Sequence, residues 1–144
     1  MKLHIVTVGK PKLAYAEAGW DEYLKRLQRY HDVRVTHLAD KYANDAAHIL
    51  KTAEPSHIIV LEITGREFSS PALAAFLETR ALDGREVSFI IGGPDGLPPE
   101  VRAAANTQWS LGRLTLPHDL AMVVTLEALY RASSIAAGHP YHRG

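Results

Sequence analysis

The sequence predicts an α/β fold, a mostly parallel sheet with helices on both faces. Three observations carry this. Short apolar, β-branched runs alternate with segments of helical periodicity along the whole chain. Two of the runs, residues 57–63 and 87–91, are almost continuously apolar, as strands covered on both faces are. The second runs directly into Gly92-Gly93-Pro94-Asp95-Gly96, a glycine-rich turn at the carboxyl end of a buried strand.

The elements follow in order. Residues 3–8 form a first strand, ended by Gly9-Lys10-Pro11. Residues 13–28 place Trp20, Tyr23, Leu24 and Leu27 at i, i+3, i+4 and i+7, one face of an amphipathic helix. Residues 33–38 alternate as a strand, and residues 44–53 read as a helix stopped near Pro55. The strand at 57–63 is turned by Thr64-Gly65. Ser69-Ser70-Pro71 starts a helix, with a serine N-cap and proline in the first turn, that stops at Asp83-Gly84. After the strand at 87–91, residues 98–105 form a short helix, and 109–116 a short strand followed by a loop. A long helix spans 118–137, before a tail at 138–144. From Leu120 to Tyr130 its only formally charged residue is Glu127. A helix apolar nearly all round needs cover on more than one side, and a second copy is a natural source in so short a chain. A homodimer is expected, with this helix near the interface.

Composition narrows the function. A chain of 144 residues, 47% hydrophobic and 22% charged, suits one globular domain over 1–144, without repeats or low-complexity tracts. No run of 18 apolar residues suggests a membrane span, and the opening Met1-Lys2-Leu3-His4-Ile5 reads as a strand, not a signal peptide. With no cysteine, disulfides, thiolate zinc sites and a cysteine nucleophile are excluded, which fits a cytoplasmic protein. Sixteen basic and sixteen acidic residues cancel, which argues against a protein that clamps nucleic acid over its whole surface. Charge is uneven, however. Residues 1–30 hold six Lys/Arg against three acids, and residues 131–144 hold Arg131, Arg143 and two histidines with no acid. Contact with nucleic acid is expected from these two ends.

Four segments could carry chemistry. The Gly92-Gly93-Pro94 turn lets a ligand approach the backbone, or is simply a turn; it is neither a dinucleotide fingerprint nor a P-loop. Leu111-Gly112-Arg113-Leu114-Thr115-Leu116 offers few side-chain donors, so it is either a backbone-lined pocket for adenine or an ordinary connection. Glu127 and Arg131 stand at i, i+4 and pair along the helix, or Arg131 reaches RNA. The tail His139-Pro140-Tyr141-His142-Arg143 is either frayed or a set of tools for an unstacked base: stacking by Tyr141, charge from Arg143, proton transfer by His142. His139 and His142 lack an obvious third ligand, so no metal site is expected.

These segments occur together, in this order, in one family. The whole chain closely resembles the SPOUT-class ribosomal RNA large subunit methyltransferase H family, which methylates N3 of pseudouridine 1915 in 23S ribosomal RNA. The resemblance lies in Lys2-Leu3, Glu22-Tyr23-Leu24-Lys25-Arg26, Leu82-Asp83-Gly84-Arg85, Ile91-Gly92-Gly93-Pro94, Leu114-Thr115-Leu116-Pro117-His118, Leu129-Tyr130-Arg131-Ala132 and Pro140-Tyr141-His142-Arg143. It implies a trefoil knot at the C-terminal side of the sheet. It implies S-adenosylmethionine held among three loops, carried here by Leu61, Gly92 and residues 111–116. It implies a homodimer in which one subunit's tail faces the other's cofactor. Neutral N3–H is a poor nucleophile and must lose its proton, so the candidate bases are His142 and, second, His118, with Arg143 or Arg131 to stabilise the charge that develops. The chain departs from the family at Met122, where an arginine is common, at Asp119 and Ala128, and in a short loop at 40–44; these bear on RNA binding and leave the cofactor motifs intact.

Overall fold

The computed structural model describes residues 1–144. Five parallel strands lie in the order β2-β1-β4-β3-β5, where β1 is Lys2–Val8, β2 Asp32–Leu38, β3 His57–Glu67, β4 Val87–Ile91 and β5 Thr107–Ser110. The helices are α1 (Ala14–Leu27), α2 (Ala46–Ala53), α3 (Ser70–Leu82), α4 (Pro99–Ala104) and α5 (His118–Ala136), with one 3-10 turn at Asp40–Tyr42. The parallel α/β sheet read from the sequence is the one observed.

Alternation within the central strands sorts two cores. Leu3, Ile5, Ile59, Val87 and Phe89 face one layer, where they meet Trp20 and Leu27 of α1, Leu77 of α3 and Met122, Leu126 and Leu129 of α5. Val6, Val8, Val60 and Ile90 face the other, against Ile49 and Ala53 of α2 and Leu97 and Val101 around α4. Every residue of β4 is buried, as its unbroken apolar run requires. Met122 is fully buried in the first core. An arginine there would bring an unpaired charge into that layer, so the methionine at this departure from the family suits its surroundings.

α5 lies between α1 and α3 on its own sheet. Much of the cover that its apolar surface requires therefore comes from the same chain. Its first turn is tied to the segment that leads from β1 into α1. The Asp119 carboxylate accepts from the backbone N–H groups of Lys12 at 2.9 Å and Leu13 at 2.7 Å. That contact supplies the start of α1, whose N-cap Leu13 has no capping side chain. By contrast α3 starts as expected, with Ser69 Oγ accepting from the Ala72 N–H at 3.1 Å and Pro71 in the first turn.

Two expectations are corrected. Thr64-Gly65 does not turn the third strand. β3 runs on to Glu67, shifts register between Leu61 and Arg66, and pairs with β5 on both sides of that shift. Gly65 serves a close crossing: a Cβ there would lie 2.6 Å from the Gln108 carbonyl oxygen and 2.9 Å from the Trp109 nitrogen. The last strand, expected from residue 109, spans Thr107–Ser110 instead, because Thr107 and Gln108 pair with Ile59 and Val60 before Trp109 is reached. The chain then crosses from this edge to enter α5 near the end of β1, where a Cβ on Gly9 would sit 3.8 Å from His118 Nε2.

Candidate functional site

The carboxyl ends of β3, β4 and β5 splay into a cleft, the place where parallel α/β sheets take ligands. Leu61 forms one wall, at the last pairing before the register shift of β3. Gly92 and Gly93 form the second, where β4 ends. Residues 111–116 close the third side, and Ala121 and His118 from the first turn of α5 complete it. The three segments named from the sequence thus meet in space.

Local chemistry explains each wall. In the 93–96 turn the Gly96 N–H donates to the Gly93 carbonyl at 2.9 Å, and Gly96 takes φ +83°. The turn folds back so closely that a Cβ on Gly92 would lie 2.8 Å from the Gly96 carbonyl carbon and 2.9 Å from Leu97 Cγ. Gly92 is therefore demanded by its own turn. Gly93 is not under that constraint; the nearest atom to a Cβ there is Val8 Cγ1 at 3.6 Å.

Ser110, almost fully buried, holds the third wall. Its Oγ lies 2.9 Å from the carbonyl oxygens of both Ile63 and Gly112 and accepts from the Gly112 N–H at 3.1 Å. A hydroxyl has one proton, so it donates to one carbonyl at a time, pinning the loop to the β3 extension. Leu111, Gly112 and Leu116 are half-buried, whereas Leu114 is 80% exposed on the rim and Thr115 is exposed beside it. Arg113, also expected at the cofactor, is exposed and does not line the cleft.

Sequence reasoning missed Glu62, the only carboxylate on the cleft wall. Its side chain is 14% exposed and pairs with Arg102 Nη1 at 3.4 Å. The signal available was a single acid inside the apolar run Val60-Leu61-Glu62-Ile63. His118 also reaches this cleft, with a buried Nε2 that meets no partner.

The tail is not frayed. Tyr141 packs its ring edgewise on Tyr130 with centroids 4.6 Å apart, and the Arg131 guanidinium lies 4.6 Å from the Tyr141 centroid. The Tyr141 hydroxyl donates to Glu127 Oε1 at 3.1 Å. Burial, the neighbouring Tyr23 hydroxyl and the Glu127 charge raise the Tyr141 phenol above its ordinary range. Arg131 donates to the same Glu127 oxygen from Nε at 2.8 Å, and from Nη1 to His142 Nδ1 at 3.2 Å. Arg143 is exposed. Arg131, Tyr141 and His142 are thus brought together, but beside α1 rather than at the cleft. About 13 residues of α5 separate Arg131 from His118, roughly 20 Å at 1.5 Å per residue.

A family model described as a predicted SPOUT methyltransferase matches residues 1–142. A protein of Deinococcus radiodurans called ribosomal RNA large subunit methyltransferase H is 55% identical over 146 residues, covering 100% of both chains. A protein of the same name from Deinococcus deserti is 52% identical over 145 residues, covering 99% of this chain and 100% of the relative.

Proposed function

The chain belongs to the SPOUT methyltransferase family, and on that premise we propose that it transfers a methyl group from S-adenosylmethionine to N3 of a pseudouridine, position 1915, in 23S ribosomal RNA. The family implies the trefoil knot. One observation carries the reading: Leu61, Gly92 and the 111–116 loop, far apart in sequence, line a single cleft of mostly apolar side chains and backbone.

That cleft suits the cofactor. The apolar side chains of Leu111 and Leu116 on the cleft wall would suit the flat face of an adenine. Glu62 gives the cleft a negative group, complementary to a ligand that carries a sulfonium and an ammonium. When bound, S-adenosylmethionine supplies a methyl already activated for in-line attack. The protein's part is to fix the acceptor nitrogen against it and to exclude competing water.

The residues proposed to meet the acceptor base are Tyr141, His142 and Arg143, on the tail that Arg131 docks. In one chain the rigid α5 holds them away from the cleft, which favours a homodimer in which each tail serves its partner's cleft. Rim residues left exposed, Leu114 at 80% and Ile63 at 46%, give a second copy apolar surface to cover. No helix is long and apolar enough to cross a membrane, and a ribosomal substrate would be met in the cytoplasm.

The deciding experiment is transfer of labelled methyl to ribosomes from a strain lacking this gene, with the modified nucleotide mapped. Methyl at N3 of the pseudouridine is expected; a different nucleotide would redirect the substrate assignment, and no transfer would refute it. Light scattering at micromolar concentration should report a dimer. Mixing a Gly92→Val chain with a His142→Ala chain should restore about a quarter of wild-type activity, since half the dimers are mixed and each holds one good cleft facing one good tail. A tail serving its own cleft would restore nothing.

A further inference from the structure

We propose that His142 acts on the substrate as a hydrogen-bond donor through Nε2, and that Arg131, positioned by Glu127, fixes it in that form. This rests on the reading above that the tail meets the acceptor base. The geometry is specific about the proton. Arg131 Nη1 stands 3.2 Å from His142 Nδ1. A guanidinium only donates and does not lose its charge in proteins, so Nδ1 must supply the lone pair. A neutral imidazole with Nδ1 accepting carries its hydrogen on Nε2. No basic nitrogen is then left to take a proton from the substrate. What the ring offers outward is an N–H.

Arg131 is not free to turn away. Its Nε and Nη2 both lie 2.8 Å from Glu127 Oε1, and the Tyr141 ring packs against its plane. Glu127 also accepts from Tyr141, so one carboxylate sets the arginine and the neighbouring tail residue together. Glu127 and Arg131 are positioning residues in this scheme, and His142 is the group that touches the base.

The chemistry balances without a basic histidine. N3 gives its proton to solvent, and the negative charge spreads over N3 and its two flanking carbonyl oxygens. His142 Nε2–H donates to one of those oxygens, the role a preorganised oxyanion donor plays. The N3 electron pair then forms the bond to the methyl carbon. The carbon–sulfur bond breaks with its pair remaining on sulfur as a neutral thioether. His142 keeps its proton throughout.

Two measurements on the full-length protein test this. Long-range proton–nitrogen correlation spectra of 15N-labelled protein at pH 8 should show His142 Nδ1 unprotonated and Nε2 protonated, with the two forms mixing in Arg131→Met. A hydrogen on Nδ1 in the wild type would overturn the proposal. Methyl transfer to ribosomes should fall about a hundredfold in His142→Ala, with cofactor affinity by calorimetry unchanged, because one oxyanion donor is lost. His142→Gln should stay within about tenfold of wild type, since its amide donates from a similar place and cannot accept the proton. A glutamine variant as inactive as the alanine variant would refute the donor role. If the wild-type protein itself transfers nothing to ribosomes, the functional reading fails, and the spectra alone decide the tautomer.

Discussion

Acid should loosen this fold through His31, and the size of the effect follows from what surrounds the ring. His31 Nδ1 faces the N-terminal ammonium of Met1 at 3.3 Å, and Nε2 lies 2.8 Å from Ser133 Oγ. The ammonium can only donate, so the ring accepts at Nδ1 and donates at Nε2, and both nitrogens are satisfied in the neutral form. Burial and then the Met1 charge push its pKa down to about 4 from the ordinary 6.5. The unfolded chain therefore binds this proton first as pH falls. The stabilisation is complete above pH 6.5, is lost between 6.5 and about 4, and is absent below. At about 1.4 kcal/mol per pH unit the interval gives at most about 3 kcal/mol. Solvent still reaches part of the ring, which reduces this to about 2 kcal/mol. His4, His37 and His57 are also lowered, each chiefly by burial, and contribute to the same acid loss. The informative quantity is thus a difference. Urea unfolding of wild type and His31→Gln, at pH 7 and pH 4.5, should show the variant losing about 1–2 kcal/mol less than wild type on acidification. Glutamine can accept and donate at the same two places without titrating. Equal losses in the two proteins would refute the assignment of this proton to His31.

Other outcomes follow from single contacts. Gly92→Ala should cost about 1–3 kcal/mol in thermal unfolding and weaken S-adenosylmethionine binding by calorimetry, while Gly93→Ala should leave thermal unfolding unchanged, because only the first Cβ meets backbone under 3.0 Å. Asp119→Ala should cost about 1–2 kcal/mol by thermal unfolding, since the Lys12 and Leu13 N–H groups lose their acceptor. Ser110→Ala should raise the cofactor dissociation constant about fivefold, the equivalent of about 1 kcal/mol, by releasing the third wall of the cleft.

The strands were readable where burial alone decides the residue. β4 has no polar face, so an unbroken apolar run marks it. β3 is readable to Ile63, beyond which its residues are mostly exposed. There the sequence Thr64-Gly65 carries the usual sign of a turn, yet the glycine exists because β5 crosses it. Both situations select glycine, and only the neighbour tells them apart. Gly92 repeats the lesson at the site. A glycine after a buried strand suggests room for a ligand, whereas here the missing side chain makes room for Gly96 and Leu97. The knot is less legible still, since which segment threads which is a relation among distant residues and leaves no periodicity.

The last helix ties these observations together. Its apolar surface suggested a second copy, but α1, α3 and the sheet already cover much of it. The stronger argument for a partner lies in length. The first turn of α5 forms part of the cleft and its later turns carry Glu127 and Arg131, which dock the tail. A buried helix cannot shorten, so the cleft and the tail of one chain are held apart by the same core that stabilises both. Bringing the tail to its own cleft would require breaking the Glu127 contacts and the Tyr141 packing together. Bringing it to a neighbour's cleft requires neither. The tail would reach its target already ordered, with the loss of freedom met during folding and not at the moment the RNA binds.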